Sequence, residues 1–244
     1  MLTIFGKFYH TSDVLNTLSE IKASDLVKYS NDISFINEMI TSISRSREIQ
    51  LSRGKLKYLK DIIFKYDPTI MEMFTSIDVA RDDINWAQGQ IRRFEATGVY
   101  RYRGVDAYKG VAGERVISRY LMNIFPSIVL NTPIGEGNAI DEFDFRLNEL
   151  TCDIKCSTQL HYASITPKVA VENGTPKDYY IGARFDDRDP EHNRVYIIGY
   201  LTHREIARYR ILQKYGAPYY EVSLLDMHNF DNLLNILRDN SEQR

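Results

Sequence analysis

The sequence predicts a mixed α/β domain that follows an all-helical N-terminal region, and three observations predict it. Apolar residues recur three and four positions apart over residues 1–95, which is the period of amphipathic helices. One further amphipathic helix is predicted at residues 110–125. Behind it, apolar and polar residues alternate in short runs, which is typical of half-buried strands. We therefore predict a helical region over residues 1–95 and a domain with a mixed sheet over residues 96–244.

Three helices are predicted in the N-terminal region. The first carries an apolar stripe over residues 35–43, the second begins near Ser52, and the third runs from residue 76 or 78 to residue 94. The second is expected to stop at Asp67-Pro68, because a proline disfavours helical geometry at the residue before it. This region is a candidate for binding DNA, for contacting a partner protein or for dimerisation.

The helix at residues 110–125 carries an acidic residue in an informative place. Its apolar stripe consists of Val116, Ile117, Tyr120, Leu121 and Ile124. Glu114 lies one turn from Ile117, at the edge of this stripe rather than opposite it. A glutamate there can point into a cleft between the helix and a sheet.

Two alternating runs stand back to back at residues 142–147 and 152–157. An antiparallel hairpin of these runs gathers Asp144, Asp153 and Lys155 on one polar face. Two carboxylates on a rigid sheet suit a divalent metal ion, and a lysine beside them can activate a water or neutralise charge on a phosphate. The same pattern is also compatible with the polar face of an ordinary edge hairpin.

Strands and helices alternate in the rest of the chain. Strands are predicted at residues 178–185, 194–201 and 219–225, where aromatic and branched side chains are frequent. A capping-box pattern opens a short helix at residues 202–205. Asp226 is expected to cap the last helix. This succession fits many α/β domains, so it supports the fold class without identifying a fold.

Taken in chain order, the helix acid and the two strand motifs resemble those of the PD-(D/E)xK nuclease superfamily, which has the restriction-endonuclease-like fold. By this resemblance, Glu114 is the acid of the helix and Asp144 is the motif aspartate. Asp153-Ile154-Lys155 looks like the (D/E)-x-K tripeptide. The resemblance implies a central mixed sheet flanked by helices.

The resemblance covers about residues 105–225 and departs from the family pattern at one position. The proline expected before the motif aspartate is replaced by Phe143. Asp141 and Glu142 lie close by, so either of them is an alternative to Asp144 as a metal ligand.

The resemblance implies a Mg²⁺-dependent endodeoxyribonuclease, in which Mn²⁺ can replace Mg²⁺. The implied catalytic residues are Glu114, Asp144, Asp153 and Lys155. The implied metal ligands are the same three carboxylates together with the backbone carbonyl of Ile154. The implied partner is DNA.

The composition limits where DNA could bind. The formal net charge is -2 over 244 residues, so a DNA-binding surface must be a local patch. We predict such a patch at Arg101, Arg103, Lys109 and Arg115, because arginine and lysine contact phosphates. The alternative is a solvated connector before the helix. A second basic stretch, near the second N-terminal helix, also mildly favours nucleic acid, although an exposed helix face explains it equally well.

Other features bear on location and on other kinds of metal site. The hydrophobic content of 43% predicts a substantial core. No apolar run is long enough to span a bilayer and no signal peptide is evident, so we expect a cytoplasmic protein without a membrane partner. Cys152 and Cys156 are expected to be buried free thiols, because the five histidines are too scattered to complete a zinc site with them.

A different class of function fits the same residues. The superfamily fold also occurs without catalysis, so a nucleic-acid-binding or scaffolding module of a replication or recombination assembly is the alternative. The complete set of Glu114, Asp144, Asp153 and Lys155 argues against a degenerate site. RNA in place of DNA stays open, as do endonucleolytic or exonucleolytic action, strand preference, sequence or structure specificity, and a homodimeric state.

Overall fold

Two structural units divide the chain, Met1–Met73 and Phe74–Arg244. The computed structural model describes residues 2–24, 26–46, 51–96, 106–130, 144–158, 163–189, 191–214 and 217–242. The boundary therefore differs from the predicted one after residue 95. The difference arises because residues 75–78 pair with a strand of the second unit and because the helix at residues 81–96 packs on another helix of that unit.

The first unit contains a small hairpin as well as helices. Its elements are β1 (Leu2–Ile4), β2 (Lys7–Tyr9), α1 (Thr11–Ala23), α2 (Ser30–Ser46), α3 (Arg53–Tyr66) and α4 (Pro68–Met71). The expectation of an all-helical region is therefore wrong. β1 and β2 pair antiparallel through Phe5 and Gly6, which have φ of 48° and 81°. Positive φ at both positions matches the twist that a two-residue hairpin turn requires.

The predicted ends of α3 are confirmed. The Ser52 hydroxyl accepts a hydrogen bond from the Lys55 backbone N–H at 3.4 Å, which caps the start of the helix. The helix ends at Tyr66, and the Asp67 carboxylate accepts the backbone N–H of Thr69 at 2.9 Å to begin α4. The predicted apolar stripe of α2 is also confirmed, since its residues Phe35, Ile36, Met39 and Ile43 are buried.

The second unit is a mixed α/β domain. Its elements are β3 (Thr75–Asp78), α5 (Arg81–Ala96), α6 (Ala107–Ile124), β4 (Val129–Leu130), β5 (Phe145–Leu147), β6 (Leu150–Ser157), β7 (Ser164–Ile165), α7 (Val169–Gly174), β8 (Tyr179–Asp186), β9 (Arg194–Thr202), α8 (His203–Ile206), β10 (Ile211–Lys214), β11 (Ala217–Tyr220), β12 (Val222–Ser223), a 3-10 turn (Leu224–Asp226) and α9 (Phe230–Ser241). The mixed α/β class is thus confirmed.

A six-stranded sheet with the order β3-β9-β8-β6-β5-β4 forms the centre of this unit. β6 and β8 run parallel, and the other neighbouring pairs run antiparallel. The predicted hairpin is confirmed as β5 and β6, with the turn at Asn148 and Glu149. Asn148 has φ of 52°, a left-handed conformation that asparagine tolerates well.

The C-terminal part departs from prediction in two details. The strand expected at residues 219–225 is divided between β11, β12 and the 3-10 turn. Asp226 lies in that turn and does not cap the last helix. Asn229 caps α9 instead, because its side-chain oxygen accepts the backbone N–H of Asp231 at 2.7 Å.

In the second unit, α6, α9 and the six-stranded sheet share one core. Val116, Ile117 and Leu121 of α6 lie in the same buried cluster as Ile154 of β6 and Leu233 of α9. None of the described helices combines the length and the apolar character that crossing a membrane would require.

Candidate active site

The antiparallel register of β5 and β6 brings two carboxylates together. Phe145 pairs with Cys152, and the backbone N–H of Asp144 donates to the Cys152 carbonyl at 3.0 Å. Asp144 immediately precedes the paired residues of β5, and its carboxylate interacts electrostatically with that of Asp153, which projects from one face of β6. Lys155 is two residues further along β6 and shares that face. The structure thus brings together the three residues that the sequence pattern predicted on one polar face.

Short polar contacts hold the three side chains in place. One oxygen of Asp144, Oδ2, accepts the backbone N–H of Ile154 at 2.5 Å. The ammonium Nζ of Lys155 lies 2.5 Å from Oδ2 of Asp153. The Asp153 carboxylate is almost fully buried at 4% exposure, whereas 30% of the Lys155 side chain is exposed. The site thus opens toward solvent on the lysine side.

One oxygen of Asp153 lacks a hydrogen bond. Among the described residues, no donor makes a hydrogen bond to the buried Oδ2. The Lys155 ammonium is close enough for an ion pair, but it does not approach this oxygen at hydrogen-bonding angles. The position suits a cation, and in this structure the Lys155 ammonium supplies the positive charge.

Glu114 interacts electrostatically with Asp144 and Lys155. Burial raises the pKa of Asp144 well above its usual value, and the nearby charges of Asp153 and Glu114 raise it further. Burial alone would lower the pKa of Lys155, but the surrounding carboxylates outweigh burial and raise that pKa, Asp153 and Asp144 most strongly. Three acids and one lysine therefore share one region in which negative charge is in excess.

A close helix–strand contact places Glu114 there. A Cβ atom added to Gly113 of α6 would lie 2.8 Å from Sγ and 3.0 Å from Cβ of Cys156. Only glycine permits this approach of α6 to β6. The next residue on the helix is Glu114 and the preceding residue on the strand is Lys155. The contact thus sets the distance between the helix acid and the strand motif.

A second polar cluster borders the first and was missed by the sequence analysis. Tyr180 of β8 is the register neighbour of Asp153. Its hydroxyl donates to the buried carboxylate of Glu172 at 2.7 Å and lies 3.2 Å from Nδ1 of His203. The backbone N–H of Lys177 donates to the same hydroxyl at 3.2 Å. No local pattern marks Glu172, because α7 is short and was not predicted.

The residues predicted to bind nucleic acid lie in varied surroundings. Arg101 and Arg103 lie outside the described residues. Lys109 is 6% exposed, and its ammonium lies 2.7 Å from a carboxylate oxygen of Asp106 and of Asp187. Two carboxylates thus enclose this ammonium, and it does not face solvent.

Arg115 also has internal partners. Its Nε donates to the buried carboxylate of Asp83 at 2.9 Å, and its guanidinium lies 4.2 Å from the ring centroid of Trp86. These contacts join α6 to α5. A role for Arg115 in nucleic-acid binding stays a prediction. The basic surface of this unit is better sought among arginines that have no such partner.

The carboxylates of this site can be compared with the ligands that a metal ion needs. Within the described ranges, no three His, Cys, Asp or Glu side chains converge as a ready-made metal site. Mg²⁺, however, is usually bound by one or two carboxylates, waters and substrate phosphates. Asp144 and Asp153 are two carboxylates whose charges interact, and they fit that smaller requirement. The alternatives Asp141 and Glu142 lie outside the described residues.

Both cysteines are free thiols as predicted, but the predicted burial is complete only for Cys152. Cys152 is fully buried and Cys156 partly buried, and neither forms a disulfide. Burial raises the pKa of both thiols, so they remain protonated at neutral pH.

Comparison of the chain with protein-family models, with curated proteins and with solved structures finds no match. The residues themselves are therefore the basis for any functional conclusion.

Proposed function

We propose that this protein is a metal-dependent nuclease that hydrolyses phosphodiester bonds in DNA. The observation that carries the proposal is the convergence of Asp144, Asp153 and Lys155 on one face of a hairpin, with Glu114 close enough to raise the pKa of Asp144. The chain order of α6, β5 and β6 is the order expected from the PD-(D/E)xK resemblance. A restriction-endonuclease-like arrangement of the mixed sheet is part of the proposal.

Asp144 and Asp153 would hold Mg²⁺ or Mn²⁺, with Glu114 and the carbonyl of Ile154 as further proposed ligands. The chemistry that the metal supplies when bound is activation of a water and neutralisation of phosphate charge. Lys155 carries a positive charge at the rim of the site, where its partial exposure lets it contact a phosphate. The hydrogen bond from Ile154 to Asp144 fixes the carboxylate before substrate arrives.

A second candidate has an observation in its favour. Lys155 already pairs with Asp153, and Ile154 already donates to Asp144, so much of the site is satisfied within the protein itself. A non-catalytic module of a replication or recombination assembly would need nothing more. Cleavage assays separate this candidate from the nuclease.

The decisive experiment compares cleavage by the wild type with cleavage by Asp153→Asn and Lys155→Ala. Supercoiled plasmid, linear duplex DNA, single-stranded DNA circles and RNA are incubated with Mg²⁺ or Mn²⁺ and with EDTA. Glu149→Gln is the matched control, because Glu149 is an exposed acid in the turn of the same hairpin. The proposal expects metal-dependent cleavage that is lost in both site variants and retained in the control.

Two results would decide against the proposal. Full activity of both site variants would show that Asp153 and Lys155 take no part in cleavage. Binding of nucleic acid without cleavage of any substrate would favour the non-catalytic module. Cleavage of the DNA circles would identify an endonuclease. Cleavage of RNA alone would show that the substrate is RNA and not DNA. A rise of the melting temperature with Mg²⁺ in the wild type but not in Asp153→Asn gives a readout of metal binding that does not depend on activity.

A further inference from the structure

Three exposed arginines follow β9 in one short stretch of the second unit. Arg204 lies on α8, and Arg208 and Arg210 lie between α8 and β10. Within the part of the chain that the structure describes, none of the three side chains has an ion-pair or hydrogen-bond partner. Arg115 and Arg188 of the same unit, in contrast, are paired with carboxylates. The positive charge of the three arginines is therefore available to a ligand.

The acidic residues near these arginines are mostly engaged elsewhere. Glu205 accepts the backbone N–H of Thr202 at 2.9 Å and lies 2.7 Å from Nε2 of His228. Asp226 accepts the Tyr209 hydroxyl at 3.3 Å. Glu221 is exposed and is the remaining acid of this region. These carboxylates keep their charge, but Glu205 and Asp226 direct it at other donors, which leaves the three guanidinium groups without an ion-pair partner among the described residues.

The stretch is attached to the candidate active site at its start. Nδ1 of His203 lies 3.2 Å from the Tyr180 hydroxyl, and Tyr180 is the register neighbour of Asp153. Arg204 is the residue after His203. α8 therefore begins one strand away from β6, across β8, and the Tyr180 hydroxyl connects the two.

The hairpin of β10 and β11 follows the arginines in the chain. Its last residue, Tyr220, is hydrogen-bonded to the segment that contains α7. The backbone N–H of Tyr220 donates to the Pro167 carbonyl at 2.9 Å, and the Tyr220 hydroxyl donates to Asn173 of α7 at 3.1 Å. Asn173 adjoins Glu172, whose carboxylate holds the Tyr180 hydroxyl. The two attachments connect residues 203–214 and 217–220, here named the basic arm, to the region of Glu172 and Tyr180, which borders the acid cluster of Glu114, Asp144 and Asp153.

We propose that Arg204, Arg208 and Arg210 of the basic arm contact the phosphodiester backbone of the nucleic-acid strand that enters the site. This inference rests on the proposed nuclease function. The acid cluster repels a polyanion, so a surface that guides nucleic acid to it must supply positive charge close by. Arginine suits this role because its planar guanidinium donates paired hydrogen bonds to phosphate oxygens.

The test measures binding of fluorescent single-stranded and duplex oligonucleotides by anisotropy, in EDTA so that no cleavage occurs. The full chain is compared with a variant that carries Arg204→Gln, Arg208→Gln and Arg210→Gln. Each phosphate contact contributes about 0.7 to the salt slope of single-strand binding, so loss of three lowers the slope by about 2. At about 0.1 M salt this corresponds to roughly a hundredfold weaker binding.

A charge-matched control variant carries Arg81→Gln, Arg194→Gln and Arg238→Gln, three exposed basic residues of the second unit that lie outside the arm. The control is expected to retain the wild-type salt slope. In Mg²⁺, the arm variant is expected to have a raised KM for cleavage and a kcat within about twofold of the wild type, because binding and not chemistry is changed.

The outcomes for the arm and for the nuclease are distinguishable. Wild-type affinity and salt slope in the arm variant, together with normal cleavage, would overturn the arm proposal alone. Arm-dependent binding without cleavage by the wild type in any metal would overturn the nuclease proposal and support the arm as a nucleic-acid surface. Equal displacement of the oligonucleotide by polyglutamate would indicate an acidic protein partner and overturn the nucleic-acid assignment.

Discussion

Replacing Gly113 with alanine should destabilise the second unit, although alanine favours helix. The added Cβ would lie 2.8 Å from Sγ of Cys156 and 3.0 Å from its Cβ, well inside normal contact distance. Overpacking of this kind costs about 1–3 kcal/mol, and the helix propensity of alanine offsets about 1 kcal/mol. The expected net loss is therefore up to about 2 kcal/mol of unfolding free energy.

The chain provides a matched control in the neighbouring helix. Gly89 lies inside α5, and a Cβ added there meets no atom within 4 Å. Gly89→Ala should thus stabilise the same unit by up to about 1 kcal/mol, because only the propensity changes. The two substitutions are chemically identical, so their opposite signs isolate the contact with Cys156.

Urea unfolding followed by tryptophan fluorescence is the suitable assay. Trp86 is the single tryptophan of the chain, and it lies on α5 of the second unit. Cys156→Ala in the Gly113→Ala background removes the closer contact atom and should restore part of the loss. A Gly113→Ala protein as stable as Gly89→Ala would show that α6 does not approach β6 this closely and would refute the reasoning.

Three further outcomes follow from polar contacts. Asp83→Asn should lower the stability of the second unit by about 2 kcal/mol in urea unfolding, because the buried carboxylate joins the half-exposed Arg115 and Arg119 of α6 to α5. Glu205 has a pKa lowered to about 2, burial being outweighed by hydrogen bonds from Thr202 and His228. Its stabilising contribution is therefore present above the ordinary pKa of 4.5 and is lost as pH falls toward 2, so Glu205→Gln should flatten the thermal stability profile over that range. Asp144→Asn should abolish cleavage yet raise the melting temperature at pH 7. The raised pKa of Asp144 means that its ionised form destabilises the fold once pH exceeds the ordinary value.

The hairpin of the candidate site was predictable because two local features fix it. Alternation with a period of two determines which side chains share a face, and a tight turn determines the register. Once β5 and β6 pair, Asp144 must lie near Asp153, and Lys155 must share the face of β6 from which Asp153 projects. Glu114 was predictable in chain order, but its distance from the strand depends on the Gly113 contact, which no periodicity reveals.

Elements that depend on distant pairing were not predictable in the same way. β3 has four residues and exists through its pairing with β9, more than one hundred residues later in the chain. This is why the boundary between the units lies before residue 95. Glu172 meets Tyr180 only because β6 and β8 run parallel with α7 between them, and sequence alternation does not record which strands become neighbours.

The energetics of the acid cluster bear on its purpose. An ordinary polar hairpin face exposes its charges to water, where their repulsion is weak. Here burial and two neighbouring acids raise the pKa of Asp144, and the buried Oδ2 of Asp153 has no hydrogen bond among the described residues. The raised pKa of Asp144 means that its ionised form opposes folding, and a purely structural hairpin gains nothing from that. A cation bound beside Asp144 would remove this penalty, so the arrangement favours a site that works with a metal over a solvated hairpin face.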